Sequence, residues 1–105
     1  MHNPDKWVII RLKSEKTLYK ILAGWSGGYL DSDNWRMSSG LESIEEDGDY
    51  YLMHNYSGST YKCHKKSEGF TSLSGTKYSE FKKAVKDTEW EIDLSNVDEF
   101  NKEHT

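Results

Sequence analysis

Turn-forming residues divide the first two-thirds of the chain into segments too short for ordinary helices. These segments are rich in β-branched and aromatic residues, which favour extended backbone. Glycine, serine, asparagine and aspartate between them predict tight turns. We predict strands over residues 7–13, 17–25, 41–46, 50–56 and 59–64, with 29–40 as a loop. In the first strand the three alternating apolar residues are expected on one face: Val8, Ile10 and Leu12.

One helix and one further strand are predicted near the end of the chain. The helix spans residues 77–87, with Thr76 as its N-cap, and three apolar residues recur in it at helical spacing: Tyr78, Phe81 and Val85. The strand comes after the helix and is predicted because three apolar residues alternate with acidic ones: Trp90, Ile92 and Leu94. We expect these three residues to face the core. Residues 95–98 fit a capping box that opens a last short helix.

This order of elements predicts an α+β fold. We expect a mostly antiparallel sheet of five to six strands, or a small barrel, with one helix from the C-terminal half packed on it. A chain of 105 residues is expected to form a single domain, 1–105. Only 34% of the residues are hydrophobic, so the four Trp, seven Tyr and three Phe must supply much of the core.

Composition also limits the compartment and the partners. A single cysteine, Cys63, excludes an internal disulfide framework, and no apolar run is long enough to cross a bilayer. We therefore expect a cytoplasmic protein with no membrane partner. The net charge of −4 gives no overall attraction to duplex nucleic acid, so none is expected as a partner. Residues 62–86 are rich in lysine and 87–103 in acids, which indicates either two solvated faces or a small basic patch for a phosphate-bearing ligand.

Two strand–turn units share the order aromatic, serine, glycine, small residue. They occupy residues 25–28 and 56–59. Loops on a rigid sheet often carry binding residues, aromatic rings can stack on a base, and an arginine can hold a phosphate. The candidate ligand-binding residues are Trp25, Ser26, Gly27, Gly28, Tyr29, Trp35, Arg36, Tyr56, Ser57 and Gly58. The alternative, that these rings only fill a core poor in leucine, stays open.

Catalytic and metal-binding patterns are weak. Cys63 and His64 are adjacent on a predicted strand and so point to opposite faces, although His54 on a neighbouring strand could reach the thiol. The run from Asp31 to Glu42 resembles a calcium-binding loop by its acids, but Trp35 and Arg36 stand where a ligand and a glycine are needed. We predict no metal site and no cofactor, and a small Cys/His hydrolase is the weakest of the function hypotheses.

Several short motifs together resemble one family, the small accessory proteins of large tailed bacteriophages. The resemblance covers about residues 7–65, and its motifs are residues 24–31, 35–36, 38–40, 45–47, 56–59 and 61–65. It implies a non-essential protein made during infection, acting in the host cytoplasm. It also implies a protein that disarms a host defence, either by sequestering a nucleotide immune signal or by capping a host protein. The resemblance carries no functional residues over.

The leading hypothesis is therefore a non-catalytic protein that sequesters a small nucleotide-like ligand, such as a cyclic oligonucleotide. A chain this small would enclose such a ligand more readily between copies, so a homo-oligomer is expected. The alternative is an inhibitor that binds a host defence protein, because exposed Trp and Tyr are also common at the centres of protein interfaces.

Overall fold

The computed structural model describes residues 1–27 and 33–104, which form seven strands, two α-helices and one 3-10 helix. In chain order these are β1 (Lys6–Lys13), β2 (Thr17–Trp25), β3 (Asn34–Met37), β4 (Leu41–Asp47), β5 (Tyr50–Asn55), β6 (Thr60–His64), the 3-10 helix (Lys65–Ser67), α1 (Ser72–Val85), β7 (Glu91–Ser95) and α2 (Val97–Glu103). The predicted α+β class is confirmed. Neither α-helix in the described part of the chain is long and apolar enough to cross a membrane.

The strands form two antiparallel sheets, so the prediction of a single sheet is wrong. One sheet has four strands in the order β3-β2-β1-β7 and the other has three in the order β4-β5-β6. The break lies between β3 and β4. There the buried Ser38 hydroxyl accepts the Ile21 N–H at 2.8 Å and donates to the Ser39 carbonyl at 2.7 Å. These bonds replace ladder bonds, so the chain leaves the first sheet at Ser38 and begins the second.

The four-stranded sheet is the middle of three layers. Helix α1 covers one of its faces, where Val8 and Ile10 are buried, with Leu12 half-buried beside them as predicted. The three-stranded sheet and α2 cover the other face, which buries Trp7 and Ile9. Because β1 is buried on both sides, its apolar run has no polar interruption, as expected for a strand inside a layered fold.

Helix α1 begins earlier than predicted. Thr71 is its N-cap, and a capping box joins Thr71 and Ser74 through their side chains and backbone N–H groups, at 2.9 and 3.1 Å. The predicted cap, Thr76, lies inside the helix, where its hydroxyl donates to the Ser72 carbonyl. The first turn contains no apolar repeat apart from Leu73, so hydrophobic periodicity could not mark this start.

The last strand is less buried than predicted. Ile92 is buried, but Trp90, just before β7, is 39% exposed and Leu94 is 48% exposed. The expectation that all three face the core is wrong because β7 is an edge strand and α1 covers only part of it. The short final helix is confirmed as α2. Its N-cap is Asn96, whose side-chain oxygen accepts the Glu99 N–H at 2.8 Å.

Candidate functional site

The predicted ligand-binding residues fall in separate parts of the molecule. Two of them lie near the end of β2, on the side of the four-stranded sheet that faces β4-β5-β6: Trp25 and Arg36. Ser26 and Gly27 follow directly after β2. Trp35 lies on the opposite side, under α1, and the Tyr56–Ser57–Gly58 turn joins β5 to β6. The two remaining candidates lie outside the described residues: Gly28 and Tyr29.

Trp35 packs in the layer between the sheet and α1. It is opposite Gly24 in the β2–β3 ladder, so both face the helix. Its ring meets the Phe81 ring edge-on at 5.7 Å between centroids, and the Lys77 ammonium lies 5.5 Å from its centre. Trp35 is therefore a packing residue, and it does not share a surface with Trp25.

The Tyr56 turn lies far from Trp25. The Tyr56 ring borders Gly40, which also lies near Leu18 at the start of β2, and the Tyr56 N–H donates to the Gly40 carbonyl at 2.9 Å. Leu18 and Trp25 are seven residues apart on one strand, which is roughly 23 Å at the usual rise of about 3.3 Å per residue. The two aromatic turns therefore cannot form one small pocket within a single chain.

The Tyr56 turn is also internally bonded. The Ser57 N–H and hydroxyl both contact the Ser39 hydroxyl, at 3.3 and 2.9 Å. The Gly58 N–H donates to the Asn55 carbonyl at 2.9 Å, and Gly58 has a φ of 91°, which favours glycine. These bonds account for the serine and glycine of this turn without a ligand.

A cleft of about 420 Å³ lies at the end of β2. It is lined by Met1, His2, Asn3, Trp25, Asn34 and Arg36. Strands β2 and β3 bring Trp25 and Arg36 together, since their ladder places Trp25 opposite Asn34 and Ala23 opposite Arg36. The contribution of residues 1–3 was missed at the sequence level because no periodic pattern marks them.

Backbone bonds hold residues 1–3 in place. His2 adds to the edge of β6, where its N–H donates to the Thr60 carbonyl at 2.9 Å and its carbonyl accepts the Lys62 N–H at 2.7 Å. The Trp25 indole N–H donates to the Asn3 carbonyl at 2.9 Å. One wall of the cleft is therefore built on both sheets.

The rings of the cleft are in mutual contact. The His2 ring lies on the Tyr61 ring at 4.7 Å between centroids and meets the Trp25 ring edge-on at 6.4 Å. Burial and the nearby charge of Arg36 lower the pKa of His2 from 6.5, so this imidazole is mainly neutral at pH 7. Trp25 is partly exposed, which leaves part of its ring open to the cleft.

Arg36 contributes a positively charged side chain to the cleft. Its side chain is exposed, and no carboxylate within residues 1–27 and 33–104 forms an ion pair with it. It lies close enough to Tyr61 to influence the ionisation of that hydroxyl. Burial raises the pKa of Tyr61, and the charge of Arg36 acts in the opposite direction. With no carboxylate partner among the described residues, the guanidinium is available to an anion.

The backbone N–H groups of Ser26 and Gly27 already have partners within the chain. The Ser26 N–H donates to the Asp5 carboxylate at 2.8 Å, and the Gly27 N–H donates to the Asp33 carboxylate at 2.9 Å. These bonds fix the chain as it leaves β2. The amides of Ser26 and Gly27 are therefore not free donors for a ligand.

The residues of the hydrolase hypothesis do not converge. Cys63 is fully buried, and burial raises the pKa of its thiol to about 12. His54 lies on the outer face of the three-stranded sheet, where its ring contacts the Thr60 hydroxyl at 3.0 Å and the Glu45 carboxylate at 3.2 Å. His64 accepts the Lys66 N–H. Neither imidazole lies beside the thiol, which is not the geometry of an activated nucleophile.

Possible metal ligands were also compared in position. Among the described residues, no three His, Cys, Asp or Glu side chains are grouped so that they could hold a metal ion.

A scan against protein-family models and searches of curated proteins and of solved structures found no match to this chain.

Proposed function

We propose that this chain is a non-catalytic binding protein for a small nucleotide-like anion, held in the cleft at the end of β2. The observation that carries the proposal is the pairing of Arg36 with Trp25. The guanidinium has no carboxylate partner among the described residues, and the indole beside it is partly exposed. A guanidinium can hold a phosphate through two parallel hydrogen bonds, and an indole can stack on a base.

The size and chemistry of the cleft support this proposal. Its volume of about 420 Å³ falls within the usual range of small-molecule sites, about 300–1,000 Å³. The side-chain amides of Asn3 and Asn34 offer donors and acceptors that could read the edge of a base. Among the described residues, the side chains that line the cleft include no hydroxyl, thiol or carboxylate that could act as a nucleophile.

The biological role follows from the phage resemblance. A protein that binds such an anion without converting it can sequester a nucleotide immune signal in an infected cell. A cyclic oligonucleotide is larger than one nucleotide and would extend beyond the cleft, so a second copy of the chain would be needed to enclose it. A homo-oligomer in the host cytoplasm is part of the proposal for this reason.

Titration calorimetry with a panel of mononucleotides and cyclic di- and trinucleotides tests the proposal. We expect at least one compound to bind, and Arg36→Gln to weaken it about 10- to 100-fold, because a hydrogen bond to a charged group contributes about 1.5–3 kcal/mol. Affinity should also fall as salt is raised.

Tyr56→Ala is the matched control. Tyr56 is 66% exposed and lies near Leu18, at the opposite end of β2 from the cleft. The sequence analysis named it as a ligand-binding candidate together with Arg36. This variant should bind as wild type does. Silence across the whole panel, or an Arg36→Gln variant that binds normally, would remove the proposal.

The alternative proposal remains an inhibitor that binds a host defence protein. The observation that favours it lies elsewhere, in the exposed Trp90 and Leu94 beside α1.

A further inference from the structure

We infer that a pocket between α1 and the start of β2 binds a small carboxylic acid with an apolar body, such as a fatty acid or an aromatic acid. The pocket has a volume of about 290 Å³, and six of the seven residues that line it are apolar. The seventh is Lys20, whose ammonium would hold the carboxylate. The pocket and the cleft at the end of β2 lie on opposite faces of the four-stranded sheet, so the inference does not depend on the proposed function.

The path of α1 across the sheet leaves this pocket open. The helix begins over the end of β2, where Thr71 lies against Gly24. It ends beside β7, where Val85 packs with Ile92. The helix therefore crosses the sheet obliquely and does not cover the start of β2, where Leu18 is 39% exposed.

Lys20 interrupts an otherwise apolar face. In the β1–β2 ladder it lies opposite Ile10, which is buried under α1, so both side chains project from the same face of the sheet. The neighbours of Lys20 on that face of β2 are Leu18 and Leu22. The lysine thus stands among apolar side chains at the place where α1 leaves the sheet uncovered.

The ammonium of Lys20 has no carboxylate partner. The side chain is only partly exposed and forms no ion pair among the described residues. None of the residues that line the pocket is acidic. An ammonium beside apolar side chains loses part of its hydration, and a bound carboxylate would give it a charged hydrogen-bond partner. The pocket therefore favours an anion over a neutral or cationic molecule of the same shape.

The rest of the lining suits a hydrocarbon body. Leu12 and Met37 project from the sheet, and Phe81 and Val85 project from the helix. The flexible thioether of Met37 can adapt to bodies of different shape. At about 30 Å³ for each water-sized group, 290 Å³ holds about ten non-hydrogen atoms. A medium-length acyl chain or a single aromatic ring has this size.

Two larger cavities among the described residues have a different chemistry. The cleft of about 420 Å³ at the end of β2 is lined mainly by polar side chains. The groove of about 590 Å³ beside β7 mixes three lysines with three carboxylates, so its charges select no ligand: Lys82, Lys83, Lys86, Asp87, Glu91 and Asp93.

Labelling the methionine methyl groups with ¹³C tests the inference by NMR, because the three methionines report on three places. Met37 lines the pocket, Met1 lines the cleft at the end of β2, and Met53 is buried on the other side of the sheet. Octanoate and 3-phenylpropanoate are expected to shift the Met37 signal saturably and to leave the other two signals in place. Tighter binding of octanoate would identify a fatty acid as the ligand class, and tighter binding of 3-phenylpropanoate an aromatic acid.

The matching alcohols, octanol and 3-phenylpropanol, measure the effect of the charge. In a purely apolar pocket an alcohol would bind more tightly than the acid, since a neutral group leaves water more readily than a carboxylate. With Lys20 as partner we expect the opposite order, with the acids about fivefold tighter than the alcohols.

Two variants separate the charge from the cavity. Lys20→Met removes the ammonium and keeps a side chain of similar shape, so the preference for the acids should disappear. Ala84 lines the pocket from the exposed side of α1, and Ala84→Leu should fill it and abolish binding of acids and alcohols alike. Alanine and leucine are both good helix formers, so this variant should fold.

Lys66→Met is the matched control, since it makes the same chemical change at an exposed lysine outside the pocket. It should bind octanoate within about twofold of wild type, because salt screens distant surface charges. The inference fails if neither acid shifts the Met37 signal, if octanol binds wild type as tightly as octanoate, or if Lys20→Met keeps the preference for the acids. It also fails if the Met1 signal shifts in place of Met37, or if the protein forms a dimer that Ala84→Leu abolishes, since a second copy would then fill the pocket.

Discussion

Replacing Gly24 with alanine is expected to lower the free energy of unfolding by about 3 kcal/mol, from overpacking together with a weakened helix cap. Gly24 is buried on the face of β2 that carries α1. A Cβ added there would lie 2.5 Å from the Thr71 hydroxyl oxygen, 2.8 Å from the Thr71 methyl group and 3.1 Å from the Ser74 hydroxyl oxygen. Neither side chain can move away without breaking the capping box that starts α1.

Gly75→Ala makes the same chemical change within the first turns of α1, and it should raise the free energy of unfolding. Its added Cβ would meet Phe70 at 3.5 Å, an ordinary contact, and alanine favours helix over glycine by about 0.5–1 kcal/mol. Urea unfolding of both variants measures the difference. If Gly24→Ala unfolds within 1 kcal/mol of wild type, the N-terminus of α1 does not pack on β2 as described.

The elements that sequence reasoning located are those specified by local residues. The first two strands and the short final helix are marked by β-branched runs, turn residues and a capping asparagine. The elements that it missed depend on distant partners. Strand β3 is a strand because β2 lies beside it, and α1 starts at Thr71 because Gly24 leaves room for the cap. The split into two sheets depends on one buried hydroxyl, at Ser38.

The candidate site was predicted in part for the same reason. Trp25 and Arg36 are in one cleft because β2 and β3 pair. Once residues 34–37 are known to form a strand, the alternation of side chains separates Trp35 from Arg36, and the sequence alone had treated both as loop residues. His2 and Asn3 reach the cleft only through backbone bonds to β6 and to Trp25, which no sequence pattern marks.

The similarity of the two serine–glycine turns was a less reliable guide. In one turn the N–H groups of Ser26 and Gly27 are held by Asp5 and Asp33, and in the other turn the Ser57 side chain is held by Ser39. The shared residue types therefore reflect shared turn chemistry at two distant places, and a common ligand is not needed to explain them.

Stability is expected to fall steeply between pH 9 and pH 12. Burial raises the pKa of the Cys63 thiol from 9.0 to about 12 and that of the Tyr19 hydroxyl from 10.0 to about 12. Both are neutral acids whose folded pKa exceeds the unfolded one. Their contribution is complete below the unfolded pKa and is lost as pH rises towards the folded pKa, since the unfolded chain releases the protons first. For Cys63 the loss amounts to about 4 kcal/mol over the three units.

Variants separate the two contributions. Cys63→Ala should be less stable than wild type at pH 8, because it leaves a small cavity, but should lose less stability than wild type between pH 8 and pH 11. Tyr19→Phe should change the slope only above pH 10. Urea unfolding of wild type and of both variants at pH 8, 10 and 11 shows how the free energy of unfolding of each protein depends on pH. If Cys63→Ala loses stability as steeply as wild type, the pKa of the thiol is the same in the folded and unfolded chains, and the buried position that excludes it as a nucleophile would be wrong.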